Sequence, residues 1–295
     1  MNGRPAAFEL DTASVRRAFG RAGGSYDAAA VLQADVRLNL LARLDFAALA
    51  PRVVLDAGTG TGHGARALKR RYPHARVIAL DSAFGMLRAA GRQRGWLRRF
   101  DCVCADAAAL PLQDASIDLI QSNLMLPWCD PGAALAEFRR VLAPRGLLSF
   151  TSLGPDTLRE LRTAWASVDA ASHVHGFIDM HDLGDALVRA GFAAPVLDVE
   201  RYTVTYAAGR QLMEDLKATG AHNAASGRPR GLTGRRKFAA MLSAYEQFRH
   251  DGRLPATVEV VFGHAWGAAP AARAPRDAAV SLAEFKRQLG AQRRP

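Results

Sequence analysis

The sequence contains few cysteines, few acidic residues and no long apolar runs. The first and last of these argue against a disulfide-stabilised protein and a membrane-spanning protein. Its 295 residues include three cysteines without a C-x-x-C pair, which favours a reducing compartment over a disulfide framework. No segment reaches membrane-spanning length, and the opening Met-Asn-Gly-Arg-Pro contains no apolar leader. We therefore expect a soluble, cytoplasmic protein.

The deficit of acidic residues leaves the chain strongly basic. There are 28 Asp and Glu against 39 Lys and Arg, which gives a net charge of +11. This balance favours an acidic partner such as nucleic acid, anionic lipid or an acidic protein, although it could also serve solubility alone. Hydrophobic residues make up 49% of the chain, enough for a substantial core in one large domain or two small ones.

A glycine-rich turn follows a short apolar strand in residues 53–64, which read VVLDAGTGTGHG. Val53–Leu55 predicts a buried strand, and Asp56 is expected to close it. The run 64–72 can begin a helix whose N-terminus faces the turn. Strand, turn and helix together indicate a nucleotide-type pocket, in which side chains at three positions would block a ligand from the backbone: Gly58, Gly60 and Gly62.

Apolar runs and helical runs then alternate along the chain. This alternation predicts a parallel sheet with helices on both faces. The further strands are expected at residues 76–80, 100–104, 118–122, 146–151, 196–206 and 257–266. An amphipathic helix is expected at 179–190, and residues 7–50 and 211–249 are predicted to be mainly helical.

Acidic residues follow the first three predicted strands and favour a cationic ligand. Asp81 ends the second strand, where an acid meets a ribose diol, and Asp106 follows the third, where it could bind an adenine amino group. The spacing from Gly60 to Ala65 leaves a nicotinamide dinucleotide open. Asp56 argues against it, because its carboxylate would repel a pyrophosphate but suits the ammonium group of S-adenosylmethionine. The sequence thus resembles the class I methyltransferases.

Five later stretches resemble a narrower family. They are residues 21–27 (RAGGSYD), 154–161 (GPDTLREL), 177–187 (FIDMHDLGDAL), 215–223 (DLKATGAHN) and 254–266 (LPATVEVVFGHAW). Together they are similar to the malonyl-[acyl-carrier protein] O-methyltransferases of biotin synthesis, over about residues 12–267. The resemblance implies methyl transfer from S-adenosylmethionine to the free carboxylate of a malonyl thioester, whose ester then primes pimeloyl synthesis. Pro127 departs from the glutamine of many relatives.

The resemblance also implies the architecture. It is an α/β, Rossmann-like three-layer sandwich with a mostly parallel seven-stranded sheet and an antiparallel last strand. We expect an N-terminal helical lid at 1–50, a methyltransferase domain at 51–267 and a helical insertion at about 209–250. The tail at 268–295, rich in Ala, Pro and Arg, is expected to be disordered.

The donor should contact residues at the strand ends and in the lid. The methionine end is assigned to Asp56 and the glycine turn, the ribose to Asp81 and Ser82, and the adenine to Asp106 and Ala107. Four more side chains complete the predicted donor site. Met86 is expected beside the adenine, Asn123 and Leu124 beside the methyl group, and Tyr26 is expected to close over the donor from the lid.

The acceptor site is less well defined by the sequence. No general base is expected, because a carboxylate is already ionised at neutral pH. A guanidinium can grip a carboxylate with two hydrogen bonds. The candidate acceptor contacts are Trp128, Arg21, Arg159 and His181. His173, His175 and His181 cluster along the chain, but the reaction needs no metal ion and none is expected.

The basic surface is assigned to an acidic acyl-carrier protein bearing malonyl-phosphopantetheine, with malonyl-CoA as an alternative acceptor. The densest basic run is the predicted docking segment: Arg228, Arg230, Arg235, Arg236 and Lys237. A patch at 92–99 is the alternative. A small-molecule O- or C-methyltransferase of quinone type is the second functional candidate, and a noncatalytic adenosine binder or an RNA-associated protein is the third. Nucleic acid is disfavoured because residues 123–126 (NLML) lack the prolines and aromatic that hold an extruded base.

Overall fold

A computed structural model describes residues 9–95, 99–229, 231 and 233–268. Its centre is a seven-stranded sheet in the order β3-β2-β1-β4-β5-β7-β6. The strands are β1 (Val53–Ala57), β2 (Arg76–Asp81), β3 (Asp101–Cys104), β4 (Ile117–Ser122), β5 (Leu142–Leu153), β6 (Phe192–Tyr206) and β7 (Leu254–Gly267). β7 runs antiparallel to both neighbours, and the remaining pairs are parallel. The predicted mostly parallel sheet with an antiparallel last strand is confirmed.

Helices cover both faces of this sheet. They are α1 (Thr12–Ala22), α2 (Tyr26–Ala29), α3 (Val31–Ala42), α4 (His63–Arg71), α5 (Phe84–Gln93), α6 (Pro131–Val141), α7 (Arg159–Ala166), α8 (Met180–Arg189), α9 (Gly209–Ala218) and α10 (Arg235–Tyr245). Side chains of α6 and α8 share one buried cluster with the sheet, and side chains of α4 and α5 share another. The sheet is therefore the middle of three layers.

Local sequence explains where the elements begin. The four apolar residues of β2, 77–80, are buried without alternation, as expected for a parallel strand covered on both faces. Helix α6 begins after Asp130, whose carboxylate accepts a hydrogen bond from the Ala133 N–H at 3.1 Å, with Pro131 in the first turn. Helix α4 begins after Gly62, which has a left-handed backbone conformation (φ 88°).

Several strands are longer than their apolar patterns predicted. β5 begins at Leu142 rather than 146, and β6 begins at Phe192 rather than 196. β6 and β7 pair from Tyr206 opposite Leu254 to Phe192 opposite Gly267, so ladder hydrogen bonds extend both strands beyond their apolar residues. The expectation that Asp56 closes β1 was wrong, because Asp56 lies inside the strand opposite Gln121 of β4.

The N-terminal segment lies against the segment that follows α9. Leu10 pairs with Ala225, the Asp11 N–H donates to the Ala224 carbonyl at 2.9 Å, and Arg228 donates to the Asp11 carboxylate at 3.0 Å. In the helical region predicted before the last strand, α9 and α10 form as expected. The disordered tail predicted from residue 268 falls, apart from Ala268, outside the described residues. None of the helices described is both long and apolar enough to cross a membrane.

Candidate donor and acceptor site

A cavity of about 1090 Å³ lies at the carboxyl ends of the parallel strands, beneath α1. Its walls come from the loops after β1, β2 and β3 on one side, and the loop after β4 lies between the two sides. On the other side they come from α7, α9 and the segments 173–175 and 219–229. Ligands of open α/β sheets bind at this edge, and the cavity therefore defines the candidate site.

The predicted glycine turn borders the cavity, and its three glycines differ in the atoms that a side chain at each position would meet. All three adopt positive φ angles: 73° at Gly58, 55° at Gly60 and 88° at Gly62. A Cβ at Gly58 would overlap the Met125 side chain, and one at Gly62 would lie 2.8 Å from the Ala90 Cβ. A Cβ at Gly60 would meet no atom within 4 Å. Gly60 thus borders open space, whereas Gly62 is required by packing and is not part of the cavity lining.

Asp81 connects the glycine turn to the loop after β2. Its carboxylate accepts the Gly60 N–H at 2.9 Å and the Ala83 N–H at 2.8 Å. Burial raises the pKa of Asp81, while the two backbone hydrogen bonds oppose the rise. The carboxylate lines the cavity and is fixed there before any ligand binds.

Asp56 lies behind the turn and is not among the described residues that line the cavity. Its carboxylate accepts the Thr59 hydroxyl at 2.6 Å, and a Cβ at Gly64 would lie 2.8 Å from one of its oxygens. Burial raises the pKa of Asp56 to about 6, and the hydrogen bonds from Thr59 and the Ala65 N–H lower it. The carboxylate therefore holds the start of α4, and a direct contact with the donor stays a prediction.

This burial gives a test of stability. Asp56→Asn keeps an acceptor oxygen but carries no charge. Without bound ligand, the free energy of unfolding of the variant should therefore rise relative to that of the parent as the parent loses the Asp56 proton. A raised folded-state pKa makes the parent less stable as pH rises through the interval from about 4 to about 6. The difference in free energy of unfolding, measured in urea, should grow by about 2 kcal/mol from pH 4 to pH 7. A difference that does not change with pH would contradict this assignment.

The loop after β3 supplies the predicted adenine contacts. Asp106 is exposed, and its carboxylate accepts the Ala108 N–H at 2.9 Å, while Ala107 is buried beside it. Ser82 and Met86 line the same part of the cavity. The structure thus brings together the predicted ribose and adenine contacts on one side of the cavity.

The N-terminal segment, which was predicted to be a lid, contributes Tyr26 to the cavity wall. Burial, reinforced by the negative charge of Asp81, raises the pKa of Tyr26 to about 12. The adjacent Asp27 fixes the lid, because its carboxylate accepts the Thr61 hydroxyl at 2.6 Å and lies 3.1 Å from the His63 Nε2. Asp27 was not recognised from the sequence, because its partners in the glycine turn are 34 and 36 residues away.

Asn123 and Leu124 lie between the two sides of the cavity. The Asn123 amide donates to the Gln33 carbonyl at 3.1 Å, and its oxygen accepts the Thr151 hydroxyl at 3.0 Å. The same hydroxyl accepts the Leu124 N–H at 2.9 Å, which supports the positive φ of 53° at Leu124. Gln33 and Thr151 position this loop and were not recognised from the sequence.

Two of the four predicted acceptor residues line the cavity, and two lie outside its described lining. Trp128 borders the cavity with its ring centroid 5.0 Å from that of His175, and Arg21 lies at the rim. Arg159 points to Glu160 at 3.3 Å. His181 is 85% exposed and pairs with Asp179 at the start of α8. The geometry does not place Arg159 or His181 beside the acceptor.

His175, for which the sequence favoured a capping or acceptor-wall role over a metal site, lines the cavity. It is buried between Trp128 and Phe177, and its Nε2 has no hydrogen-bond partner among the described residues. Burial, and then the charge of Arg162, lowers the pKa of His175 to about 4, so the ring is neutral. His173 instead stacks on Trp165 at 3.7 Å and pairs with Asp169. The described residues contain no group of His, Cys, Asp and Glu arranged as a metal site.

Charge is segregated within the cavity. Among its described lining residues, the two carboxylates, Asp81 and Asp106, are both on the side of the glycine turn. The basic side chains line the lid and the opposite side: Arg16, Arg21, Lys217 and Arg228. The cavity therefore offers one region to a cation and another to an anion.

Comparisons with known proteins agree with this arrangement. A family model described as a methyltransferase domain matches residues 55–150. The YcgJ protein of Bacillus subtilis has a TM-score of 0.56 at 15% identity, covering 78% of this chain and 98% of that one. A SAM-dependent methyltransferase of Thermotoga maritima has a TM-score of 0.52 at 18% identity, covering 86% and 99%. These likenesses establish the class I methyltransferase fold.

Much closer relatives establish the family. A malonyl-[acyl-carrier protein] O-methyltransferase of Laribacter hongkongensis is 53% identical over 288 residues, covering 95% of this chain and 97% of that protein. The protein of the same name from Methylovorus sp. is 53% identical over 287 residues, covering 95% and 96%. The match extends well beyond the methyltransferase core, through the lid and the insertion. The chain belongs to the malonyl-[acyl-carrier protein] O-methyltransferase family.

Proposed function

We propose that this protein transfers the methyl group of S-adenosylmethionine to the free carboxylate of a malonyl thioester on an acyl-carrier protein. The product is the malonyl methyl ester that primes pimeloyl synthesis for biotin. The observation that carries the proposal is the segregated cavity, which joins a carboxylate-lined glycine turn to an apolar chamber with a basic rim. The names and high coverage of the relatives support this acceptor.

The donor is assigned to the acidic side of the cavity. Asp81 and Ser82 hold the ribose hydroxyls, and Asp106 and Ala107 contact the adenine edge. Gly58 and Gly60 contact the methionine end, and Met86 packs beside the adenine. Asn123 and Leu124 lie beside the methyl group, and Tyr26 closes over the donor. Asp56 and Gly62 support the turn from behind, since their side-chain positions are occupied by contacts within the protein.

The reaction needs alignment and exclusion of water rather than proton transfer. S-adenosylmethionine supplies an electrophilic methyl group on a cationic sulfur. A malonyl carboxylate oxygen forms the new C–O bond as the C–S bond breaks, and the electron pair of that bond goes to sulfur. The chain's part is to orient the two groups, an effect that can contribute roughly 7–11 kcal/mol in well-ordered sites. Trp128 and the neutral His175 form an uncharged aromatic wall that keeps water from the carboxylate.

The partner is an acidic acyl-carrier protein, and the basic excess of the chain suits it. The predicted docking run is only partly available for such a role. Arg228 pairs with Asp11 and Lys237 with Asp169, whereas Arg235 and Arg236 are exposed. Arg230 lies outside the described residues. The domain assignment also stays a proposal, with the described residues of the N-terminal segment (9–50) and of the helical insertion as the roof of the cavity.

A direct assay tests the function. The protein is incubated with S-adenosylmethionine labelled in its methyl group and with malonyl-acyl-carrier protein, and the acyl group is analysed by mass spectrometry. We expect the malonyl group to gain the mass of one labelled methyl group in place of one hydrogen, as a base-labile ester. Acetyl-carrier protein, which has no free carboxylate, is the control. An unmodified malonyl group with the donor demonstrably bound would overturn the proposal.

A further inference from the structure

A basic pocket at the rim of the cavity has no role in the donor site. Arg21 on α1, Lys217 on α9 and His222 after α9 line both the main cavity and a smaller adjoining one. All three are exposed, and the described residues provide no ion-pair partner for either cation. Glu214 borders the smaller cavity as its acidic member.

The three side chains are close together and held on a fixed frame. Burial, followed by the charges of Arg21 and Lys217, holds the pKa of His222 below its usual range, so both cations lie near this ring. The Ser25 hydroxyl donates to the Ala218 carbonyl at 3.0 Å and ties the end of α1 to the end of α9. The rim is therefore built by two helices at a fixed spacing.

The cavity wall beyond this rim has a large apolar part. It includes the buried Leu161, the buried Trp165 and the partly buried Met213, beside polar residues such as Thr157 and Asn223. A flexible uncharged chain can lie along such a wall, whereas a phosphate cannot be desolvated there without a large penalty. An acceptor with a phosphate at one end and a thioester at the other must leave its phosphate at the rim.

We propose that Arg21, Lys217 and His222 bind the phosphodiester of the phosphopantetheine arm, and that the arm enters the cavity between α1 and α9. This inference rests on the proposed function. It moves Arg21 from the malonyl carboxylate, its predicted contact, to the phosphate. It also separates recognition of the arm from recognition of the carrier's protein surface.

The test compares two double variants that each remove two positive charges. Arg21→Gln with Lys217→Gln removes the rim cations, and Arg235→Gln with Arg236→Gln removes exposed cations outside the described cavity lining. Each is assayed with malonyl-carrier protein, malonyl-CoA and malonyl-pantetheine, which lacks phosphate. We expect the rim variant to raise KM about 30-fold or more for the two phosphorylated acceptors and less than about twofold for malonyl-pantetheine. S-adenosylmethionine affinity should not change.

Each other outcome has a definite meaning. Equal loss on all three acceptors, or no loss on any, would overturn the phosphate site. Loss on the carrier protein alone would also overturn it, because the cations would then contact acidic side chains of the carrier. Loss in the Arg235 and Arg236 variant alone would place recognition on α10 instead. If the parent methylates no malonyl thioester, the proposed function fails, and that result is distinct from these.

Discussion

Asp81→Ala is expected to weaken S-adenosylmethionine binding by about a hundredfold or more. The Asp81 carboxylate holds the Gly60 N–H at 2.9 Å and the Ala83 N–H at 2.8 Å while it faces the cavity. Hydrogen bonds to a charged group contribute about 1.5–3 kcal/mol each, so loss of the ribose contacts alone approaches this figure. Release of the two backbone donors adds disorder to the turn. Titration calorimetry measures the affinity directly.

Two companion variants separate the contributions. Asp81→Asn keeps one acceptor oxygen and should fall between the parent and the alanine variant. Asp106→Ala removes an exposed carboxylate that accepts a single described hydrogen bond, from Ala108, and should weaken binding by about tenfold. If a folded Asp81→Ala protein binds S-adenosylmethionine with an affinity within about threefold of the parent's affinity, the assignment of Asp81 to the ribose is wrong.

Gly85→Ala is expected to displace the lid and so reduce donor affinity by about tenfold or more. A Cβ at Gly85 of α5 would overlap the Gly20 carbonyl oxygen of α1, and a Cβ at Gly23 would lie 2.7 Å from the Gly85 carbonyl oxygen. The two helices touch backbone to backbone, so neither can absorb a methyl group by a change of rotamer. Overpacking of this kind costs about 1–3 kcal/mol and moves backbone. Tyr26, four residues beyond α1, would move away from Asp81.

Gly91→Ala is the matched control, because Gly91 lies on the same helix and a Cβ there would meet no atom within 4 Å. That variant should bind the donor normally and gain slightly in stability, since alanine favours a helix. Limited proteolysis supplies the second measurement. We expect early cleavage near residues 20–30 in the Gly85→Ala protein only. If residues 20–30 resist proteolysis equally in both variants, contact with α5 does not hold the lid in position.

The part of the site that could be predicted is the part encoded by neighbouring residues. The apolar run of β2 ending at Asp81, and the adjacent glycine turn, place a carboxylate at a strand end without any distant contact. Asp56 shows the limit of that reasoning. Its position after the apolar run suggested a side chain facing the donor. In the structure its oxygens contact Thr59 and lie against Gly64, and a donor contact stays a prediction. A side-chain direction inside a strand depends on sheet packing, which the local pattern does not contain.

The residues that were missed depend on partners far along the chain. Asp27 can be recognised as a contact of the N-terminal segment only once its partner Thr61 is known. Thr151 can be recognised as a support of the loop after β4 only once its partner Asn123 is known. Gly85 looks like an ordinary helical glycine until Gly20 is packed against it. The strand ends have a similar cause, since β6 is lengthened by its ladder with β7 and not by its own apolar residues. Sequence patterns report periodicity within an element, whereas these features arise between elements.

The tie between Arg228 and Asp11 spans 217 positions along the chain. During synthesis the N-terminal segment emerges from the ribosome first, and it cannot form this contact until Arg228 has been synthesised. Strands β1–β5 are already complete by Leu153. Contacts of such long sequence separation form late in folding. The nascent chain therefore has five strands of the sheet before it has a closed cavity, which also includes Val258 of β7, and its capacity to retain a cosubstrate should arise only near the end of translation.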